Sequence, residues 1–377
     1  VSDLQTTKTD TGSKFINLLI ELGFALFSIL VALLVGTVFI LLAGESPLDA
    51  YHALYIGSIG SWREFLNTLW RATPLIFTGF ALALPFKAGL FNIGGEGQLL
   101  VGGFAAGFVG FYFTGLPSII HVPLAILAAM AAGAIWGLIP GLLKAYKGAH
   151  EVITTIMLNY IAIQLTIRYG IDRFRTGGRQ ALPTIEESAR LVRFVDMAEM
   201  PIIGQIPLID VFALPGLRLH LNFILALISA AVLWYLLFKT TVGYEIRAVG
   251  FNSSAAEYGG ISSSKTIILS MVIAGALAGL AGAGEALGTH HTFMSGMDAD
   301  LGFTGIAVAL LGRNHPFGIV LAGILFGGLT QGGLEMQFVG IPSEIVTIIQ
   351  ALVIFFVAGL QMLKWFLLKR REKGETE

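Results

Sequence analysis

The sequence predicts an all-α fold, a polytopic transmembrane helical bundle. Three observations carry that prediction. Of 377 residues, 55% are hydrophobic and 12% charged, where soluble domains carry about 25% charged residues. Mean hydropathy is +0.80. Apolar runs recur along the whole chain, and 47 glycines suit the close helix packing found in lipid. Read in turn, the runs make about ten crossings or half-crossings. The net charge of −1 leaves no electrostatic footprint for nucleic acid. With no cysteine, disulfides, thiol catalysis and cysteine metal sites are excluded. Neither His290-His291 nor His150-Glu151 has the spacing of a metal site.

Residues 1–17 are polar and read as a cytoplasmic N-terminal segment. Leu18–Leu42 is too long for a signal-peptide core and lacks a small-residue cleavage pattern, so it reads as a retained span. Residues 44–71 hold Tyr51, Tyr55, Trp62 and Trp70, which predicts a helix lying at the outer interface. Pro74–Leu84 and Leu99–Phe113 are each too short to span comfortably. Together they read as a broken helix pair, interrupted at 91–98. Val122–Leu143 and Glu151–Tyr169 complete a first transmembrane block, 18–170. Residues 171–219 balance arginine against acid and predict an ordered extracytoplasmic segment. The second block, 220–363, holds spans at Leu221–Phe238, Thr266–Leu287, Pro316–Leu329 and Ile345–Leu363, with a short run at Leu301–Leu311. Within Thr266–Leu287, Gly275-x-x-x-Gly279 continues into a small face through Ala278 and Gly282, a helix-packing pattern. A polar loop, 241–265, lies between the first two of those spans, and 364–377 is a cytoplasmic tail.

Orientation follows from lysine and arginine. Alternating the spans with both termini inside puts Lys144, Lys147, Lys239, Arg247, Lys265, Arg313 and the C-terminal lysines on the cytoplasmic side. Most outer arginines then fall in the single segment 171–219.

Two stretches carry chemistry. Phe91-Asn92-Ile93-Gly94-Gly95-Glu96-Gly97-Gln98 is polar and glycine-rich between apolar runs. Irregular backbone at membrane depth survives where it is buried in protein or lines a wet cavity. Asn92 is placed to cap the following helix, and Glu96 sits in its first turn, where the dipole favours an acid. The alternative is a cytoplasmic loop with a good N-cap. A Phe- and Gly-led run, Phe303–Gly312, occupies the corresponding place in the second half. The pair predicts an inverted repeat with half-helices meeting near the midplane. Candidate residues of a solute path are Phe91, Asn92, Gly94, Glu96, Gln98, Asn159, Glu285 and Phe303. For Asn159 and Glu285 an interhelical hydrogen bond is the alternative. The second stretch runs from Thr241 to Ile261 and reads as two short helical pieces. Asn252 is a candidate cap for Ser253–Tyr258, with glycines following. Small residues at Ala248, Gly250, Ala255 and Ala256 suit close docking on a partner surface.

In these strings the chain resembles the membrane permease subunits of bacterial ATP-binding-cassette importers. It is similar to the branch with branched-chain amino acid and ribose permeases, and within it to the nucleoside and simple-sugar permeases. The carrying strings are Phe91–Gln98, Glu151–Ala162, Gly243–Ile261 and Gly305–Pro316, and the resemblance covers about Pro74 to Gln361. It implies that 241–265 couples to a cytoplasmic ATPase through Gly243, Glu245, Arg247, Ala248, Gly250, Asn252, Ala255, Ala256 and Gly259. It implies a second permease of similar build, an extracytoplasmic solute-binding protein, and residence in the bacterial cytoplasmic membrane. No cofactor is then expected on this chain; ATP and magnesium belong to the partner ATPase. The chain has no G-x-x-x-x-G-K-[ST] loop. Gly282–Gly288 approaches a dinucleotide fingerprint but lies in an apolar helix, which reads as packing. No nucleophile–base pair points to an enzyme. The resemblance favours a nucleoside as solute over a simple sugar, which would use the same polar groups. A self-sufficient ion-coupled transporter is the reading from another class.

Overall fold

The computed structural model describes residues 11–175, 177–198, 210–297, 300–342, 344–356 and 359. The first ten residues, the tail 364–377 and part of segment 171–219 lie outside the described residues, as does the end of the run Ile345–Leu363. The chain divides into two compact units, one of Val1–His52 with Met336–Glu377 and one of Ala53–Glu335.

In the first unit, α1 (Thr11–Leu42) and the start of α2 (Pro47–Ile59) are joined by Tyr51. Its hydroxyl donates to the Leu33 carbonyl and lies 3.2 Å from Thr37 Oγ1. The helix Glu344–Phe356 belongs to the same unit, and Ile349 packs against Gly36.

The second unit holds α3 (Trp62–Lys87), α4 (Gly95–Tyr112), α5 (Ser118–Lys147) and α6 (Glu151–Gln164). A π-helical turn, Leu165–Ile171, extends α6 into the short α7 (Asp172–Phe174). After α8 (Phe194–Ala198) come α9 (Asn222–Lys239), α10 (Thr241–Phe251), α11 (Ser253–Tyr258) and α12 (Ser263–Ala283). A second π turn, Gly284–Thr289, follows α12; then come α13 (Leu301–Leu311) and α14 (Pro316–Phe338). Among the described residues six helical segments are long and apolar enough to cross a membrane.

Glycine decides what packs at the centre. α12 packs most extensively on α5 and next on α4. Gly133 and Gly137 of α5 lie against the backbone of Gly275 and Met271, and Gly279 lies against Ala129 and Gly102. This is the predicted small face at work. With no side chain between them the backbones touch, and dispersion contacts replace the hydrophobic drive that lipid does not supply. Burial sorts the helices. The apolar window of α3 is 89% buried, whereas those of α5 and of Glu151–Phe174 are each 22% buried. α3 is therefore an interior helix, and α5 and α6 keep broad exposed apolar faces.

Two sequence expectations change here. The stretch 44–71 is not one interfacial helix, because α3 starts at Trp62. Ser61 caps it, its Oγ accepting from Glu64 N at 3.2 Å, the front half of a capping box. The helix then passes through Pro74 and Pro85. Each proline deletes one backbone hydrogen bond, the one that would reach the carbonyl four residues back, and the helix nevertheless continues as an interior element. Second, 91–98 does not interrupt a single crossing. Residues 88–94 join α3, of 26 residues and long and apolar enough to cross by itself, to α4, of 18 residues, whose first turn holds residues 95–98.

The polar segment 171–219 is ordered where it is described. Leu182 N donates to Phe293 O at 2.8 Å, Leu191 N to Leu287 O at 3.1 Å, and Phe194 N to Leu219 O at 3.0 Å. The first two bonds knit it onto the chain that leaves α12, and the third closes the segment on itself.

Candidate functional site

The glycine-rich stretch folds into a knot of polar groups satisfied by one another. Asn92 Oδ1 accepts from Gly94 N at 2.9 Å, closing an Asx turn, and Asn92 Nδ2 donates to Gln98 Oε1 at 3.2 Å. Gly94, not Asn92, is the N-cap of α4. From α6, Asn159 clamps the stretch on both sides: Oδ1 accepts from Gly97 N at 2.9 Å and Nδ2 donates to Ile93 O at 2.9 Å. Thr155 Oγ1 accepts from Ile93 N at 3.2 Å. Glu96 Oε2 accepts from Gly302 N at 2.6 Å. Asn92, Glu96, Gln98 and Asn159 are all buried.

Glu96 has a specific physical task. Asp300, the N-cap of α13, makes no side-chain capping bond. The α13 amides are instead met by a carboxylate from the first turn of α4, so one acid faces two helix N-termini, each favouring negative charge. The short runs that the sequence paired thus meet at their N-termini. Replacing Glu96 by Ala leaves a buried Gly302 N–H unsatisfied, which costs roughly 1–3 kcal/mol. Glu96→Gln keeps an acceptor and costs about half as much. Thermal unfolding in detergent, read for both variants, checks the order.

Glu285 lies elsewhere, in the π turn after α12, a helix distortion frequent at functional sites. Thr289 Oγ1 donates to Glu285 Oε1 at 3.3 Å, and His290 Nε2 is 3.5 Å from Oε2. Trp70 of α3 donates Nε1 to Thr289 Oγ1 at 3.0 Å. Two guanidinium groups face the Trp70 ring, Arg71 at 4.5 Å and Arg218 at 5.2 Å. Arg218 is held there by its own amide, which donates to Asn67 Oδ1 at 3.2 Å. Arg71 Nε has no acceptor among the described residues. The cluster offers a carboxylate, a hydroxyl, an imidazole and two cations around one indole. Of these only Glu285 was a sequence candidate. The signal for the rest, Trp70-Arg71 inside an apolar helix, becomes visible once α3 is read from Trp62.

Beside this cluster, His220 is almost fully buried, and neither ring nitrogen has a hydrogen-bond partner among the described residues. Burial pushes its imidazole down to about 3, assisted by Arg193 and His291. Burial and Arg193 also lower His291, whose Nε2 meets the Arg193 guanidinium. A histidine whose folded pKa is depressed stabilises the fold above its unfolded pKa and withdraws that stability as pH falls toward the folded value. Acidification from pH 7 to 5 is therefore expected to loosen this segment in the wild type and much less in His220→Gln. Hydrogen exchange of residues 185–195 at the two pH values checks it.

Phe91 and Phe303 stand apart from that cluster. Phe91 is 39% exposed and packs on Phe86 at 5.0 Å, and Phe303 is 46% exposed on α13.

The second sequence motif forms two capped helices. Thr240 Oγ1 accepts from Gly243 N at 3.2 Å, starting α10, and Asn252 Oδ1 accepts from Ala255 N at 3.0 Å, starting α11. Gly243 lies on the Leu236–Leu237 backbone, and Gly250 lies on the Lys87 carbonyl. No Cβ fits at either place, so these glycines dock α10 on the ends of α9 and α3. Ala248 is half-buried and Ala256 buried. The outer side shows Glu245, Asn252, Ala255 and Gly259, with Tyr244 61%, Phe251 90% and Tyr258 99% exposed. So much exposed aromatic surface on a capped, docked element marks an interaction site.

Residues 65–358 match the family described as branched-chain amino acid transport system / permease component. The chain is 45% identical over 351 residues to the guanosine ABC transporter permease protein NupP of Bacillus subtilis, covering 93% of this chain and 96% of the relative. It is 39% identical over 341 residues to the nucleoside ABC transporter permease protein NupB of Lactococcus lactis, covering 88% and 89%. It is 36% identical over 348 residues to the glucose ABC transporter permease protein TsgB13 of Haloferax volcanii, covering 91% and 88%. No solved structure matches the chain. A helical membrane bundle matched by that model over most of its length, and by these permeases nearly end to end, belongs to the branched-chain amino acid transport system permease component family.

Proposed function

We propose that this chain is the membrane subunit of an ATP-driven importer and forms, with a second permease of similar build, the path for a nucleoside. The observation that carries the solute is the nearly full-length likeness to two permeases named for guanosine and nucleoside, at higher identity than to the one named for glucose. The chain sits in the bacterial cytoplasmic membrane with both termini inside, which puts α10 and α11 on the cytoplasmic side. There the exposed face of Tyr244, Phe251, Ala255 and Tyr258 receives the ATPase. ATP and magnesium are bound by that partner. Its closure on ATP moves α10 as a rigid body, and Gly250 on Lys87 and Gly243 on α9 pass the movement to α3 and α9. A solute-binding protein docks on the opposite side, partly on 171–219.

In this reading the Trp70–Glu285 cluster is the path station nearest the binding protein. A carboxylate accepts hydroxyl donors, and Arg71 brings an unpartnered donor for a carbonyl or ring nitrogen. The knot around Glu96 and Asn159 holds the two short helices in register beside the path. The test is uptake into vesicles containing the full complex. ATP-dependent uptake of labelled guanosine that unlabelled nucleosides compete away, and glucose does not, is the expected result. Competition by glucose alone would favour the sugar reading, and uptake driven by an ion gradient without ATP would reject the importer. Glu285→Gln should lower uptake about tenfold, the worth of one hydrogen bond to a charged group, while leaving ATPase assembly intact.

A further inference from the structure

Where α3 and α9 end and α14 begins, the structure gathers basic side chains. Lys87 ends α3, Lys239 ends α9, Arg247 lies on α10, and His315 precedes α14. Lys87 is within electrostatic range of both Arg247 and His315. Aromatic rings alternate with these groups. Lys239 Nζ is 5.6 Å from the Trp234 ring, and Trp234 is 6.2 Å from Phe317. Phe317 is 5.8 Å from His315, His315 is 5.4 Å from Phe238, and Phe238 is 5.3 Å from the Arg247 guanidinium. Among the described residues none of Lys87, Lys239 and Arg247 pairs with a carboxylate. Arg247 Nη1 is buried with no acceptor.

Lys87 and Arg247 repel each other, and a buried guanidinium N–H without an acceptor among the described residues is costly. Helix C-termini account for Lys87 and Lys239, since cations are favoured there. They do not account for Arg247, inside α10, and the N-terminus of α14, beside His315, itself favours an anion. An anion placed beside Lys87 and Arg247 relieves both, and Lys239 lies along the aromatic row that leads to them. Beside them, Val232 and Tyr235 of α9 and Phe317 and Leu321 of α14 are 58%, 60%, 48% and 64% exposed. A negative group carrying apolar chains fits both features at once.

We infer that this cluster binds the phosphate of an anionic phospholipid, whose acyl chains lie along the exposed α9 and α14 residues. The inference rests on the orientation proposed above, which sets these helix ends in the cytoplasmic headgroup layer, where basic pockets between helices attract acidic lipid. Since Gly250 of α10 lies on the Lys87 carbonyl, the bound phosphate bridges the ATPase-facing element to the bundle and stiffens their joint.

The test uses the purified full chain in neutral detergent, titrated with dioleoylphosphatidylglycerol and followed by native mass spectrometry. It needs neither solute nor ATPase, so it stands or falls apart from the proposed function. Phosphatidylglycerol is expected to be retained over phosphatidylcholine. Lys87→Gln, Lys239→Gln and Arg247→Gln should each weaken binding about fivefold, and millimolar inorganic phosphate should not displace the lipid. Lys239 is exposed, so its variant keeps the measurement meaningful if another variant misfolds. Lys147→Gln, an exposed cation at the end of α5, should bind as the wild type does. Equal retention of phosphatidylcholine, displacement by inorganic phosphate, or equal weakening by Lys147→Gln would overturn the assignment.

Discussion

Gly275→Leu is expected to abolish the folded bundle, while Gly178→Ala leaves it unchanged. At Gly275 even a Cβ would fall inside the van der Waals radius of the Gly133 carbonyl oxygen, and Gly133 meets the Gly275 carbonyl in the same way. The obstacle is backbone, so no side chain can rotate clear. The two helices must separate, and the contacts along Gly137–Met271 and Gly279–Ala129 open with them. Overpacking a tight core costs about 1–3 kcal/mol when neighbours can shift, and more when they cannot. Against a total stability of roughly 5–15 kcal/mol, the variant should be lost to aggregation. At Gly178 nothing lies within 4 Å of an added Cβ. Size-exclusion profiles of the two variants in the same detergent check the contrast. A monodisperse Gly275→Leu protein with unchanged thermal unfolding would show that α5 and α12 do not pack as described.

Phe251→Glu combined with Tyr258→Glu should disconnect the chain from its ATPase without unfolding it. Both rings are almost wholly exposed, so their removal takes no packing from the chain itself. At an interface, buried aromatic anchors cost about 2 kcal/mol or more each when lost. A carboxylate in their place adds desolvation, so the pair should lower ATPase affinity about a thousandfold. Ala255→Arg, on the exposed side of α11, should act in the same direction by steric blockade. Co-purification of the ATPase with each variant gives the result. Normal assembly of the double variant would place the ATPase contact elsewhere, and loss of the monodisperse chain would mean that the rings pack within the fold after all.

Both outcomes depend on features of different legibility. The Gly275-x-x-x-Gly279 face could be read directly, because small residues at helical spacing have one effective use in an apolar segment. Asn252 as the cap of α11 was equally local: a short polar side chain ahead of a helix bonds the amide three residues on. Pro74 misled, because helix-start rules weigh proline as a boundary. Inside a membrane bundle, packing against neighbouring helices holds a proline-containing segment in place, and α3 continues through Pro74 and Pro85. That single misreading split α3 and hid Trp70 and Arg71 in a supposed interfacial stretch.

Composition and the spacing of apolar runs by themselves determined that the chain is a helical membrane bundle, and the polar string 241–261 that it holds two short helices; the permease class came from the resemblance of whole strings. These are properties of local stretches, and lipid permits few solutions to them. Only the tertiary structure decided what Glu96 faces, since its partner, Gly302, is 206 residues away. It also decided that Glu285 shares its surroundings with Trp70 and that Lys87 meets Arg247. Partners so distant in sequence come together only when whole helices pack, and the charge pattern of one stretch carries no record of the other.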